Sequence, residues 1–189
     1  MVCAGSIMQL LIRKFLPGEP LPPLFDCGKT DLNEFLLETG TATPNATLYE
    51  KEHLSRTYLV EDSDTDQVLG YFSLACDKIE RTVSDPKIWN RLSRKVPNAK
   101  RRSSYPAIKI GRLAISRQAQ NLGLGYSILN FIKGVFFNES RAGCRFLTVD
   151  AYLDAEDFYT KCNFARLIAP EPGDETVLMY FDLKSIERI

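Results

Sequence analysis

Two periods of hydrophobicity alternate along this chain, one of two residues and one of about 3.6, and each change of period marks an element. Ala107-Ile-Lys-Ile-Gly-Arg-Leu-Ala-Ile115 is an apolar, β-branched-rich run entered through Tyr105-Pro106, and it predicts a buried central strand. Past Gly125 the apolar residues Ile128, Leu129, Ile132, Val135 and Phe136 fall on one face, the stripe of a long helix packed on a sheet. Phe146-Leu-Thr-Val-Asp150-Ala151 returns to the strand pattern. Ahead of this core the pattern predicts a strand over about residues 8–14, a Pro-rich loop, and helices over about 30–39 and 44–52. Strands over about 55–62 and 67–79 follow, joined through the turn formers Asp62-Ser-Asp-Thr-Asp66. A helix over about 86–95 precedes the central strand, and a strand, helix, strand and strand complete the order to about residue 183. An antiparallel first half followed by a β-α-β second half predicts an α/β (α+β) fold, a mixed sheet with helices on both faces. No repeat or linker divides the chain. Residues 8–189 therefore read as one domain, with residues 1–7 a frayed extension ahead of Met8.

The junction between the central strand and the long helix carries the first chemical signal. Gly123 and Gly125 lie at or just before a helix N-terminus, where backbone N–H groups have no intrahelical partner and the dipole is positive. Missing β-carbons let an anion approach the main chain closely, so a diphosphate is the natural occupant. A P-loop would end in Gly-Lys-Ser or Gly-Lys-Thr, whereas Gly125 is followed by Tyr126-Ser127. A Rossmann turn would need a third glycine, and Ile128 stands in its place.

What remains, Gln120-x-x-Gly123-x-Gly125, resembles the pyrophosphate signature of the Gcn5-related N-acetyltransferases. Further along, Ala155-Glu-Asp-Phe158-Tyr159-Thr-Lys-Cys-Asn163-Phe164 is similar to the segment of that family in which an alanine, a Phe-Tyr pair and a Gly-Phe recur. Asn163 stands where the family has glycine, and asparagine tolerates the left-handed conformation that ends a helix. Phe25-Asp-Cys27-Gly28-Lys-Thr-Asp31-Leu32-Asn33-Glu-Phe35-Leu36, Leu54-Ser-Arg-Thr57-Tyr58-Leu-Val60 and Gly70-Tyr71-Phe72-Ser73-Leu74 resemble one branch of the family. That branch includes bacterial toxins that acetylate aminoacyl-tRNA. The resemblance spans roughly residues 8 to 183 and implies a mostly antiparallel sheet with a splayed central strand. It implies acetyl-CoA as cosubstrate, with the main chain of Leu113, Ala114 and Ile115 on the pantetheine arm. Gln120, Asn121, Gly123, Leu124, Gly125, Tyr126 and Ser127 would then surround the pyrophosphate. By the same resemblance the partners expected are charged tRNA, a small antitoxin protein and a second copy of the chain.

Acetyl transfer from a thioester to an amine needs a neutral nucleophile, a stabilised oxyanion and protonation of the departing thiolate. Tyr159 is the candidate general acid, since a phenol of pKa about 10 stays protonated beside a thiol of about 8.5. The resemblance sets the matching tyrosine beside the thioester sulfur; the alternative for Tyr159 is a core tyrosine stacked with Phe158. Many members of the superfamily use a glutamate on the central strand as base, and here that strand carries Lys109 and Arg112. Asp77, Glu80 and Asp150 are the other carboxylates within consideration, each either a base through water or an ion-pair partner. An aminoacyl-tRNA amine, with its ester carbonyl alongside, needs little help in losing a proton.

Composition narrows the rest. At 189 residues, 44% hydrophobic and with zero net charge, the chain has material for one substantial core and no global field for nucleic acid. Its positive charge is local. Arg91, Arg94, Lys95, Lys100, Arg101 and Arg102 form a run without a carboxylate, flanked by Trp89 and Tyr105, which suits RNA phosphates with an aromatic left for stacking, or is simply a solvated helix and loop. Of this run Arg91, Arg94, Lys95, Arg101 and Arg102 are the candidate acceptor-binding residues. Five cysteines lack C-x-x-C spacing, with Cys76 and Cys144 in apolar, strand-like surroundings, and read as reduced thiols of a cytoplasmic protein. The lone histidine, His53, lies in a polar stretch, so neither a metal site nor a Ser-His-Asp triad is expected, and no membrane span or secretory signal is visible. Two function classes stand: an N-acetyltransferase for aminoacyl-tRNA, a protein or a small amine, and a non-catalytic protein that binds coenzyme A or an antitoxin.

Overall fold

The computed structural model describes residues 9–19, 25–37, 44–98, 102–139 and 142–188. The expected extension over residues 1–7 lies outside them. In chain order the elements are β1 (Leu10–Lys14), α1 (Thr30–Leu36), α2 (Asn45–Lys51), β2 (Arg56–Asp62), β3 (Gln67–Glu80) and α3 (Pro86–Ser93). Then come β4 (Ser104–Ile115), α4 (Leu124–Asn138), β5 (Phe146–Tyr152), α5 (Glu156–Lys161), β6 (Ala165–Arg166) and β7 (Thr176–Asp182). This is the order the hydrophobic periods predict. The strands form a seven-stranded sheet in the order β1-β2-β3-β4-β5-β7-β6. β1 with β2, β2 with β3, β5 with β7 and β6 with β7 are antiparallel, and β4 with β5 is parallel. The α/β class and the mixed sheet are as expected.

The chain divides into two compact units, one of residues up to Leu74 with Arg112–Gly125, the other of Ala75–Gly111 and Tyr126 onward. In the first, α1 turns Leu32, Phe35 and Leu36 inward. Tyr71 of β3 meets this face: its hydroxyl donates to the Leu32 carbonyl at 2.7 Å and its ring stacks on Phe35 with centroids 6.0 Å apart. The Arg112 guanidinium lies over Phe35, 5.3 Å from the ring centroid. Charge is handled at α2, where buried Glu50 is held by Lys14 at 2.8 Å and Arg56 at 2.6 Å. At Gly70 β3 passes close against the end of β4. A β-carbon there would sit 2.8 Å from the Ala114 carbonyl oxygen, nearer than packed atoms allow.

The second unit has helices on both faces of its strands. Side chains alternate along a strand and paired residues share a face, so Ile79, Tyr105, Ala107, Phe146 and Tyr180 point one way, under Trp89 and Leu92 of α3. α3 begins where the sequence says: Asp85 caps it by accepting from the N–H groups of Lys87 and Ile88, and Pro86 fills the first turn, where no N–H is needed. On the opposite face Phe181 of β7 meets Phe164 and the ammonium of Lys133 from α4. Ile128, Leu129 and Ile132 form the buried stripe of α4. Cys76 departs from its expected apolar setting. It is exposed on β3, because the alternation that buries Ile79 turns Cys76 the other way.

Gly70→Ala is expected to cost about 1–3 kcal/mol, because backbone rather than a movable side chain blocks the added methyl. Urea unfolding of the variant measures it.

Candidate active site

In the first unit the glycine turn is built from the end of β4 onward. A short 3-10 turn over Arg117–Ala119 leads into Gln120, and α4 begins at Leu124. Asn121 and Gly123 both adopt left-handed backbone, with φ of 64° and 78°. Such a pair of left-handed residues re-aims successive N–H groups at the head of a helix, the geometry that concentrates anion affinity. A β-carbon on Gly123 would meet nothing within 4 Å, so the space in front of the turn is open. Gln120 is occupied in holding the turn: its side-chain amide donates to the Cys27 carbonyl at 2.9 Å and to the Ile115 carbonyl at 3.0 Å. Arg117 adds an ion pair to Asp26 at 2.8 Å, and Asp26 in turn accepts from the Gly28 N–H and from Asn33. The Phe25–Gly28 segment thereby becomes the brace of the turn. Its sequence carries a family likeness, but its tie to Gln120 joins residues 93 apart and leaves no local signal.

Leu113, Ala114 and Ile115 lie on the same unit at the end of β4. The parallel register of β4 with β5 covers Ala107–Ile110 against Phe146–Val149, and β4 runs five residues beyond it.

The second unit holds Tyr126, Ser127, Tyr159 and the basic run. Tyr126 is exposed at the first turn of α4. Tyr159 is 6% exposed on α5, with Phe158 and Phe164 edge-on at 5.0 and 5.5 Å. Burial pushes its phenol above the ordinary tyrosine range, so the proton stays on. α5 ends in the left-handed turn expected of Asn163, whose φ is 63°. Lys133, a residue the sequence did not single out, pins this end. It is 7% exposed, donates to the Cys162 carbonyl at 2.7 Å and lies 4.3 Å from the Phe181 ring centroid. Burial lowers its pKa, since the amide and rings around it replace little of the lost water.

The carboxylates and cations named for the acceptor are sorted by their contacts. Glu80 is paired with Lys78 at 2.7 Å on its own strand. Asp77 accepts a hydrogen bond from Thr148, and Asp150 pairs with Lys109. Arg94, Lys95 and Arg102 are exposed, as is Arg91, whose guanidinium also donates to the Tyr180 hydroxyl at 2.8 Å. Arg101 lies outside the described residues. Trp89 and Tyr105 are not free to stack on a base, contrary to expectation: they are 6% and 2% exposed and stack on each other at 4.8 Å. The reason is amphipathicity, for the face of α3 that carries Trp89 is the face it buries on the sheet.

No family model matches the sequence. Solved structures do resemble the fold. A tyrosine-to-phenylalanine variant of KacT is 27% identical with a TM-score of 0.76, over 95% of this chain and 98% of that one. AtaT complexed with acetyl-methionyl-tRNAfMet is 28% identical with a TM-score of 0.75, over the same shares. A tyrosine-to-phenylalanine variant of the AtaT toxin, bound to acetyl-CoA and the C-terminus of the antitoxin AtaR, is 26% identical with a TM-score of 0.68, over 95% of this chain and 96% of that one. Fold and likeness together define the class, that of the Gcn5-related N-acetyltransferases. The chain is an N-acetyltransferase of that superfamily, similar along nearly its whole length to KacT and AtaT.

Gln120→Ala strands two carbonyls and is expected to destabilise the protein by about 1–2 kcal/mol. Amide hydrogen exchange checks the placement, with faster exchange concentrated at residues 120–125.

Proposed function

We propose that the protein transfers the acetyl group of acetyl-CoA to the α-amine of an aminoacyl-tRNA in the cytoplasm, and that a small antitoxin protein restrains it. AtaT, solved with acetyl-CoA, with the C-terminus of AtaR and with acetyl-methionyl-tRNAfMet, supports each part of this reading. The observation that carries the catalytic part is Tyr159, a buried side chain set edge-on to Phe158 and Phe164 whose phenol keeps its proton.

The open turn of Gln120, Asn121, Gly123, Leu124 and Gly125, with Tyr126 and Ser127 after it, takes the pyrophosphate on backbone N–H groups. The main chain of Leu113, Ala114 and Ile115 pairs with the pantetheine amides as an added strand would. The neutral amine attacks the thioester carbonyl carbon; a C–N bond forms and the carbonyl pair moves onto oxygen, where a backbone N–H of β4 stabilises it. When the adduct collapses the C–S bond breaks and its electron pair leaves on sulfur. Tyr159 donates to that sulfur, and the proton shed by nitrogen restores the phenol through solvent. A phenol kept protonated by burial is ready for this donation throughout the neutral range. Arg91, Arg94, Lys95 and Arg102 supply exposed positive charge for tRNA phosphates, and each contact releases counterions condensed on the RNA.

Labelled acetyl-CoA added to a bacterial extract is expected to leave label in the alkali-labile aminoacyl-tRNA fraction. Tyr159→Phe is expected to lower kcat by about 10²–10⁴-fold at unchanged acetyl-CoA affinity. Expression without an antitoxin is expected to arrest growth, and Tyr159→Phe to relieve the arrest. Tyr159-dependent label in protein or small amines instead moves the acceptor away from RNA, and label indifferent to Tyr159→Phe removes the phenol from the mechanism.

A further inference from the structure

The face of the second unit that packs under α3 changes character along its strands. Its Ile79, Tyr105, Phe146 and Tyr180 end is apolar and covered by Trp89 and Leu92. Two or four residues away along β3, β4 and β5, on the same face by strand alternation, stand Asp77, Lys109, Thr148 and Asp150. Lys109 is the direct register partner of Thr148, and its ammonium turns to Asp150, two residues on. Asp77 takes the Thr148 hydroxyl and has no cationic partner among the described residues. The row thus carries two carboxylates against one ammonium. It is also open to water, with the side chains of Lys109 and Asp150 34% and 44% exposed.

We propose that this row first binds the acceptor as its ammonium ion, between Asp77 and Asp150, that the bound ion gives one proton to water to become the neutral amine that attacks, and that Lys109 sets how tightly it is held. A primary ammonium arriving here supplies the one positive charge the row is short of and finds acceptors on both sides for its three N–H donors. Thr148 fixes the Asp77 carboxylate, so one of the two acceptors is held before the ligand arrives. Lys109 competes for Asp150 and repels a second cation, so its removal strengthens binding rather than weakening it. That sign separates the proposal from an ion pair kept for stability, in which loss of either partner acts in the same direction. The row selects for an unblocked amine, because an acylated or hydroxyl-bearing analogue brings no charge. The basic run begins on the helix that covers the apolar end of this same face, through Arg91 at Tyr180, so a polyanion bearing an ammonium at its end matches both signs of charge.

The inference rests on the acetyltransferase reading and names the residues that recognise its acceptor. Its test measures initial rates of acetyl transfer to a deproteinised aminoacyl-tRNA pool at saturating acetyl-CoA, for wild type, Asp150→Asn, Asp77→Asn and Lys109→Met, with thermal melts of each. The two aspartate variants are expected to raise the acceptor KM by about tenfold, and Lys109→Met to lower it, all with unchanged acetyl-CoA KM. A hydroxyacyl-tRNA competitor, which lacks the ammonium, is expected to bind all four proteins alike. Acceptor KM values that do not move, or that rise alike in Lys109→Met and Asp150→Asn together with a lower melting temperature, overturn the seat while leaving acetyl transfer standing. A wild-type protein that binds acetyl-CoA yet acetylates no aminoacyl-tRNA ends the reading on which the seat depends.

Discussion

A parallel strand pair cannot be closed by a tight turn, and the parallel pairing of β4 with β5 constrains everything around it. The chain must travel from Ile115 back to Phe146 before it pairs again, and it does so through α4. A crossover helix that starts where a strand ends brings its unpaired N–H groups to the strand's C-terminal end by topology alone. The glycine turn refines that position without creating it. Gly123 supplies the left-handed conformation, Gln120 lashes the turn to Ile115 and to the Cys27 loop, and the turn at the head of α4 is held from two sides.

Charge follows a complementary logic. The chain is neutral as a whole, yet its cations are gathered on and after α3 while carboxylates stand on the sheet beyond that helix's apolar footing. Segregation of this kind costs little at the surface, where water screens like charges, and gives each region a sign that the average conceals. Trp89 and Tyr105 have a part in it, since their stacked rings fill the space under α3 and leave its outer face to arginine and lysine.

The elements were legible because each rests on a local period. The strand at 107–115 and the stripe from Ile128 survive as β4 and α4 with little change, and the Gly123 turn was readable because a missing β-carbon is itself a sequence feature. Contacts over long separations were not. Flanked by arginine and lysine, Trp89 reads as a surface residue, and only the orientation of α3 on β4 and β7 buries it. Lys109 and Asp150 become partners through the register of two strands 41 positions apart in the chain, and no hydrophobic pattern along either strand encodes the register between them. The absence of a glutamate on β4 was visible, and so was Asp150 as a candidate carboxylate, whereas its pairing with Lys109 was not.

Lys133 bears on how this sequence is free to drift. In a helix whose neighbours Gly134 and Asn130 are polar or small, a lysine looks interchangeable with glutamine, glutamate or arginine. Its burial between Phe164 and Phe181, with the Cys162 carbonyl as its acceptor, removes most of those exits. A glutamate would face a carbonyl oxygen, an arginine would need more room, and a methionine would keep the stem and release the end of the turn that follows Tyr159. The lineage is therefore held at this codon by a structural tether rather than by chemistry, and divergence here must be preceded by change at Phe164, Phe181 or the Cys162 turn.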